Sequence, residues 1–239
     1  MSSHAFTLAL PALPRRIVAI PVRTPLIREG EDLPEMLRRC LQGMLRTDDV
    51  VCVSETAVAI AQGRSIRAEA IRPSKLARLL ARRAGSYASV NQPESMQLVL
   101  ENAGTWKVLA AAAIGAAGRI IGRRGDFYRI LGSAVAEIDG YTGTMPPYER
   151  HIVLGPKQPA QVAEAIAQAC GAHACVVDAN DLGKAEILGA SSRVDCEAVR
   201  RCLLSNPAGN ADEQTPVVIL KYRPEHDAPA ASPLLQGTH

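Results

Sequence analysis

After Asp32, apolar residues recur at Leu33, Met36, Leu37, Cys40, Leu41, Met44 and Leu45. That spacing is helical, and the aspartate before it is a good N-cap, so a helix is predicted there. Residues 16–22 read as a short strand ahead of it. Beyond the turn at Asp48-Asp49, the unbroken apolar run 50–53 has the composition of a buried strand and leads into Ser54-Glu55-Thr56 and on to Gln62-Gly63-Arg64. From Pro73, Leu76, Leu79 and Leu80 mark a second helix, with Lys75, Arg78, Arg82 and Arg83 on its outer side as a solvated face.

A third helix is predicted from Pro93 through Met96, Leu98, Val99 and Leu100, followed by an alanine-rich run and then by Gly115, Gly118, Gly122 and Gly125 with arginines between them. Asp139-Gly140, Gly143 and Pro146-Pro147 form a breaker-rich loop, so Ile138-Asp139 is expected to end an ordered element at an exposed position. Pro159 starts a helix that Gly171 terminates. An apolar strand over 174–177 is expected to end at Asp178, which places acids at the carboxyl end of a buried strand, where open α/β sheets put their ligands. A helix over 196–204, a polar break over 205–214 and a last strand over 217–220 complete the ordered part. No internal repeat stands out. The pattern is that of an α/β (mixed α+β) chain: an N-terminal extension 1–15, one domain over 16–224, and a disordered tail 225–239.

Composition narrows the function. The chain has 239 residues, 47% hydrophobic, enough to bury a sizeable core. Its 27 Lys+Arg against 24 Asp+Glu leave a net charge of +3, too balanced to announce a nucleic-acid binder. Aromatic residues make up 3%, with Trp106 the single tryptophan, so a stacking platform has little to build with. Six cysteines without a C-x-x-C spacing read as buried reduced thiols, and not as a zinc site or redox dithiol. The apolar patch 5–10 lacks the preceding charges of a signal peptide, and the apolar run 108–117 is shorter than the roughly 20 residues a spanning helix needs. A cytoplasmic protein with neither a nucleic-acid nor a membrane partner is the expectation.

Two groups of residues could carry chemistry. Asp178-Ala179-Asn180-Asp181 presents carboxylates that could gather a hard divalent cation, with Asp139 as second contributor. A magnesium-type ion needs only one or two protein carboxylates when phosphate oxygens and water complete its shell. An Asx turn at Asp178 and Asn180 is the alternative, and spacing leaves both readings open. The glycine and arginine run 115–129 could bring backbone N–H groups and guanidinium forks to a phosphate chain, or its glycines could simply permit close packing; it fits neither the P-loop nor the dinucleotide fingerprint. Gly63-Arg64 reads by itself as a turn with a surface arginine. Histidine and serine spacings indicate no nucleophile with its base.

Taken in order, Ser54-Glu55-Thr56-Ala57-Val58-Ala59-Ile60-Ala61-Gln62-Gly63-Arg64, Gly125-Asp126-Phe127, Ala136-Glu137-Ile138-Asp139, Leu154-Gly155-Pro156-Lys157-Gln158-Pro159, Val177-Asp178-Ala179-Asn180-Asp181 and Thr215-Pro216-Val217-Val218-Ile219 resemble the motifs of the coenzyme F420-0:L-glutamate ligase (gamma-glutamyl ligase) family. The resemblance implies a gamma-glutamyl ligase-like α/β fold and an intertwined homodimer. It also implies an enzyme that uses GTP, or ATP in its place, with Mg2+ or Mn2+ to join L-glutamate to the carboxylate of a small molecule through an acyl phosphate. By the same resemblance Asp139 and Asp178 are catalytic and bind metal, with Asp181 a further ligand, while Gly63, Arg64, Arg124 and Asn180 bind the nucleotide or anionic substrate.

This chain departs from the family pattern at three places. Thr56 stands where the family has lysine, Val177-Asp178-Ala179-Asn180-Asp181-Leu182 replaces a Ser-Asp-Thr-Phe-Gly-Arg stretch, and the region before the last strand is shortened. These leave open the preferred nucleotide and the acid and amine partners. Beside the F420-0 ligase stand three alternatives: a ligase of the same family acting on another carboxylate and amine, a nucleotide-binding regulatory homologue without turnover, and a phosphohydrolase using the same acids.

Overall fold

A computed structural model describes residues 15–84, 89–123, 125–132, 135, 138–139, 146–180, 183–209 and 214–224, with the side chains at 15, 16, 89, 139, 180, 223 and 224 outside the description. Two sheets organise these residues. The larger has five strands, β1 (Arg15–Val22), β2 (Val50–Ser54), β6 (His173–Asn180), β7 (Lys184–Ala190) and β8 (Val217–Pro224), in the order β1-β8-β2-β6-β7. The smaller has three, β3 (Ser65–Arg67), β4 (Ile138–Asp139) and β5 (His151–Leu154), in the order β3-β5-β4. Among the described strands β2 and β6 form the one parallel pair, with Cys52 opposite Cys175 and Ser54 opposite Val177; every other pairing is antiparallel.

The period of two along the large sheet sorts its side chains onto two buried faces. Val51, Val53, Ala174, Val176, Val217 and Ile219 pack beneath α1 (Leu33–Cys40), α2 (Glu55–Ala61) and a later helix, Pro159–Cys170, which is the predicted one. Val50, Cys52, Cys175, Val177, Val218 and Leu220 face the helix Cys196–Leu203. Burial on both sides explains the unbroken apolar runs, each such side chain contributing about 1.5–3 kcal/mol. A third core joins the small sheet to α3 (Lys75–Ala81), α4 (Pro93–Ala103), α5 (Thr105–Ile120) and α6 (Asp126–Leu131). In chain order the two helices beside the large sheet are then α7 (Pro159–Cys170) and α8 (Cys196–Leu203).

Local chemistry fixes the helix ends. Asp32 accepts the Glu35 N–H at 3.1 Å, Ser74 that of Ala77 at 3.1 Å, and Asp195 that of Ala198 at 3.0 Å. α1 stops at Cys40, earlier than the apolar spacing to Leu45 predicts, because the chain turns over 41–44. A short repeat also emerges: Glu-x-x-Arg-Arg-Cys-Leu occurs at 35–41 and 197–203, and in each copy the one glutamate holds both arginines, Glu35 with Arg38 and Arg39, Glu197 with Arg200 and Arg201. The turn before β2 is closed by Asp49, 1% exposed, which accepts the Arg46 N–H at 2.9 Å and faces the Lys221 ammonium at 3.2 Å.

The arginine and glycine run is a packing device. Gly115 and Gly118 lie on the buried stripe of α5, and a Cβ on Gly118 would come within 2.2 Å of the Asp126 carboxylate. Asp126 starts α6 and takes Arg129 at 2.6 Å and Arg123 at 3.3 Å, so this acid pairs with two arginines of its own segment. Of the cysteines, Cys52 and Cys175 are buried, Cys40, Cys170 and Cys202 half-buried and Cys196 exposed, which corrects the expectation of six buried thiols. Burial raises the Cys52, Cys170 and Cys202 thiols above their ordinary range, the state of an inert thiol. No helix among the described residues is long and apolar enough to cross a membrane.

Candidate functional site

The site is built around the segment 153–160, which ends β5, turns, and begins α7. Val153 pairs with Ser65 on one side and with Asp139 on the other, so Ser65 and Asp139 stand two strands apart on the small sheet, about 10 Å by strand spacing, with Arg64 immediately before Ser65. Arg64 donates from Nε to the Gly155 carbonyl at 2.5 Å, and its own carbonyl accepts the Leu154 N–H at 2.9 Å. Two residues before Arg64, the Gln62 amide grips the backbone of Lys157 at both ends. Its Nε2 donates to the Lys157 carbonyl at 2.9 Å and its Oε1 accepts the Lys157 N–H at 2.7 Å. Two motifs about ninety residues apart in sequence are thereby fastened together.

α2 delivers this turn because it is almost wholly buried. Five consecutive residues, 57–61, lie in the core. Gly63 then reverses the chain at φ +68°, and a Cβ there would lie 2.7 Å from the Glu29 carboxylate. The Gly30 N–H donates to the Ala61 carbonyl at 2.9 Å, bringing the 28–31 loop alongside.

Helix α7 starts with Gln158 in the left-handed region at φ 49° and Pro159 in the first turn. Its first turn lies directly on β7: a Cβ on Gly189 would come within 2.3 Å of the Ala160 nitrogen and 2.4 Å of the Pro159 carbonyl carbon. With Lys157 and Arg64 beside it, this positive helix end suits phosphate oxygens.

Three residues back along β7 from Gly189, about 10 Å, Glu186 stands opposite Asp178. This corrects the expected strand end. β6 does not stop at Asp178 but runs on to Asn180 and turns into a hairpin with β7, so Asp178 is a mid-hairpin residue, paired across the ladder, and forms no Asx turn. Reading along the chain missed β7, although the Gly183 turn followed by Lys184-Ala185-Glu186-Ile187 has the alternation of a hairpin arm. Burial first, and the Glu186 carboxylate second, raise the Asp178 carboxyl above the usual aspartate range. The two acids line an open cleft of about 350 Å³ together with Lys184 and Arg200, the latter held by Glu197.

Such a half-buried oxygen donor, facing another carboxylate, fits a hard divalent cation. Among the described residues no three His, Cys, Asp or Glu side chains converge, so protein would supply part of the shell and phosphate and water the rest. Of the other expected site residues, Gly63 and Arg64 are in the assembly just described. Asp139 and Asn180 have their backbones placed on β4 and β6 while their side chains lie outside the described residues, as do Arg124 and Asp181 altogether.

One family model matches the chain. The profile described as F420-0:gamma-glutamyl ligase matches residues 21–177, about two thirds of the chain, and so takes in the Gln62–Arg64 turn, Asp139 and the 153–160 segment and ends one residue short of Asp178. No curated protein matches.

Proposed function

This chain belongs to the F420-0:gamma-glutamyl ligase family, whose members form amide bonds, and we propose that it is a GTP- or ATP-dependent ligase joining an amino acid, by default L-glutamate, to the carboxylate of a small molecule such as coenzyme F420-0. Two copies form the working unit. The observation that carries the reading is the fastening of the Gln62–Arg64 turn to the 155–157 turn ahead of α7, whose first turn packs on β7, the strand that sets Glu186 opposite Asp178.

In this reading Asp139 and Asp178 hold a magnesium or manganese ion, with Asp181 as a further ligand. When bound, the ion supplies charge neutralisation at phosphate oxygens. Arg64, Gly63, Arg124, Asn180 and the N-terminal N–H groups of α7 position the phosphates and the anionic acceptor. The acceptor carboxylate attacks the terminal phosphorus, the nucleoside diphosphate leaves, and the amine displaces phosphate from the resulting acyl phosphate with loss of a proton. Positioning dominates such chemistry, which explains the tight fastening of the two turns. Glu186, opposite Asp178, adds a second carboxylate to the cleft.

The test is phosphate release by purified protein with divalent metal and GTP or ATP. Release that requires both a carboxylic acid and an amine supports ligation. Release without either indicates a phosphohydrolase, and nucleotide binding without release indicates a regulatory homologue.

A further inference from the structure

The hairpin of β6 and β7 sets Asp178 directly opposite Glu186, and Asn180 opposite Lys184. Like charges facing each other across a ladder are destabilising. The simplest remedy would be an ion pair from Lys184, yet neither Lys184 nor Glu186 forms an ion pair with a described residue. Both are exposed, two residues apart on one face of β7, about 7 Å along the strand. Helix α8 brings Arg200 to the same cleft, where Glu197 takes its Nε and Nη2, fixing the guanidinium and leaving Nη1 for a ligand. Ala185 and Leu204 supply an apolar part of the lining. Charges left unresolved within a fold mark a place where a ligand resolves them.

We propose that this cleft seats the amine-bearing substrate and that it takes an acidic α-amino acid, with the ammonium on Glu186 and the two carboxylates on Lys184 and Arg200. The inference rests on the ligase reading for what becomes of the amino acid, and on the cleft alone for its binding.

The charges select the class of ligand. With Asp178 committed to the metal ion, the cleft offers one carboxylate and two cations, the complement of one ammonium and two carboxylates. A diamine would bring like charge to Lys184 and Arg200, and a neutral amino acid would leave one of them without a partner. At about 350 Å³ the cleft lies at the small end of ligand pockets, which run from about 300 to 1,000 Å³, a size for an amino acid and not for a nucleotide. Position agrees as well. Residues opposite each other in an antiparallel ladder have Cα atoms about 4.5–5.5 Å apart, so an ammonium on Glu186 is held beside the acid assigned to the metal. The match to the ligase family ends ahead of all these residues, so their assignment comes from this chain's own geometry.

Calorimetry on the full chain with Mg2+ and without nucleotide tests it, the probes being L-glutamate, L-glutamine and putrescine. Expected is L-glutamate bound about tenfold or more tighter than L-glutamine, the effect of one charge-assisted contact, and no binding of putrescine. Glu186→Gln should weaken glutamate about tenfold, and the Lys184→Gln, Arg200→Gln double variant should erase the preference over glutamine, both with unchanged circular dichroism. Arg201→Gln is the control: it removes the other arginine on Glu197 and lies outside the cleft lining, so affinity should keep its wild-type value. Equal affinity for glutamate and glutamine, putrescine bound as tightly as glutamate, or glutamate binding that survives both Glu186→Gln and the double variant overturns the proposal. So does an equal loss on Arg201→Gln, which would assign the effect to the helix and not to the cleft. The two readings fail separately. Protein that releases phosphate with an acid and an amine yet binds no glutamate keeps the ligase reading and overturns this one; protein that binds glutamate in the expected pattern but never releases phosphate does the reverse.

Discussion

Gln62 and Lys157 exchange two hydrogen bonds, side-chain amide to backbone, at 2.9 and 2.7 Å, and that exchange joins the turn after α2 to the turn before α7. An amide side chain satisfies a backbone N–H and C=O at once only when both turns are already held in register, which the Arg64 bond to Gly155 and the β3–β5 ladder ensure. Gln62→Ala removes both bonds, each with a net value of about 1 kcal/mol. The expected result is a loss of about 1–2 kcal/mol in urea unfolding, with a rise in KM for the nucleotide larger than any fall in kcat. Gln62→Glu keeps the acceptor and loses the donor, so it falls between the two.

Gly189 is the other contact on which the site depends. A methyl group there has no room, because what it meets is the backbone of Pro159 and Ala160 and not a flexible side-chain end. Gly189→Ala should cost about 1–3 kcal/mol by overpacking and push the first turn of α7 off β7. A lowered denaturation midpoint with an unchanged m-value is the signature to look for, together with weakened nucleotide binding.

Acid stability should follow the two Glu-x-x-Arg-Arg helices. The hydrogen bonds from Arg38 and Arg39 hold the Glu35 carboxyl down at about 2, and those from Arg200 and Arg201 hold Glu197 at about 2. A depressed folded value favours the folded state above the ordinary carboxyl range, and the benefit disappears as pH falls through about 2. Wild type should therefore lose more stability than the Glu35→Gln, Glu197→Gln double variant between about pH 5 and pH 2, measured as the change in Tm with pH. The difference is small because both acids are exposed.

Asp178 behaves in the opposite sense. Burial and the Glu186 carboxylate raise its folded value, so its ionised form works against the fold, and stability present at low pH is lost as pH rises through that raised value. Without metal, Asp178→Asn should melt at or above the wild-type temperature at neutral pH. A residue that served only packing or capping would show a lower one.

Much of the fold was legible in the sequence, and the exceptions share a cause. The long amphipathic helices and the strands of the large sheet announce themselves because one period dominates over several turns or one apolar run is unbroken. α2 escaped because a helix buried on all sides carries no amphipathic signal. β5 is too short for a period, and β7 carries an intermediate pattern that only its partner β6 makes intelligible. The Gly63-Arg64 turn looked like an ordinary turn from its own residues, since its significance lies in Gly155 and Lys157, which no local pattern connects to it. Asp178 was found as a candidate, but its real neighbour, Glu186, comes from across a hairpin.

Manganese binding, counted by electron paramagnetic resonance on the apoprotein with and without GTP, tests the central claim most directly. The account predicts a site in the wild type that tightens with nucleotide and is lost in both Asp139→Asn and Asp178→Asn, with circular dichroism unchanged. Unaltered manganese affinity in either variant would remove that carboxylate from the metal and contradict the two-acid site.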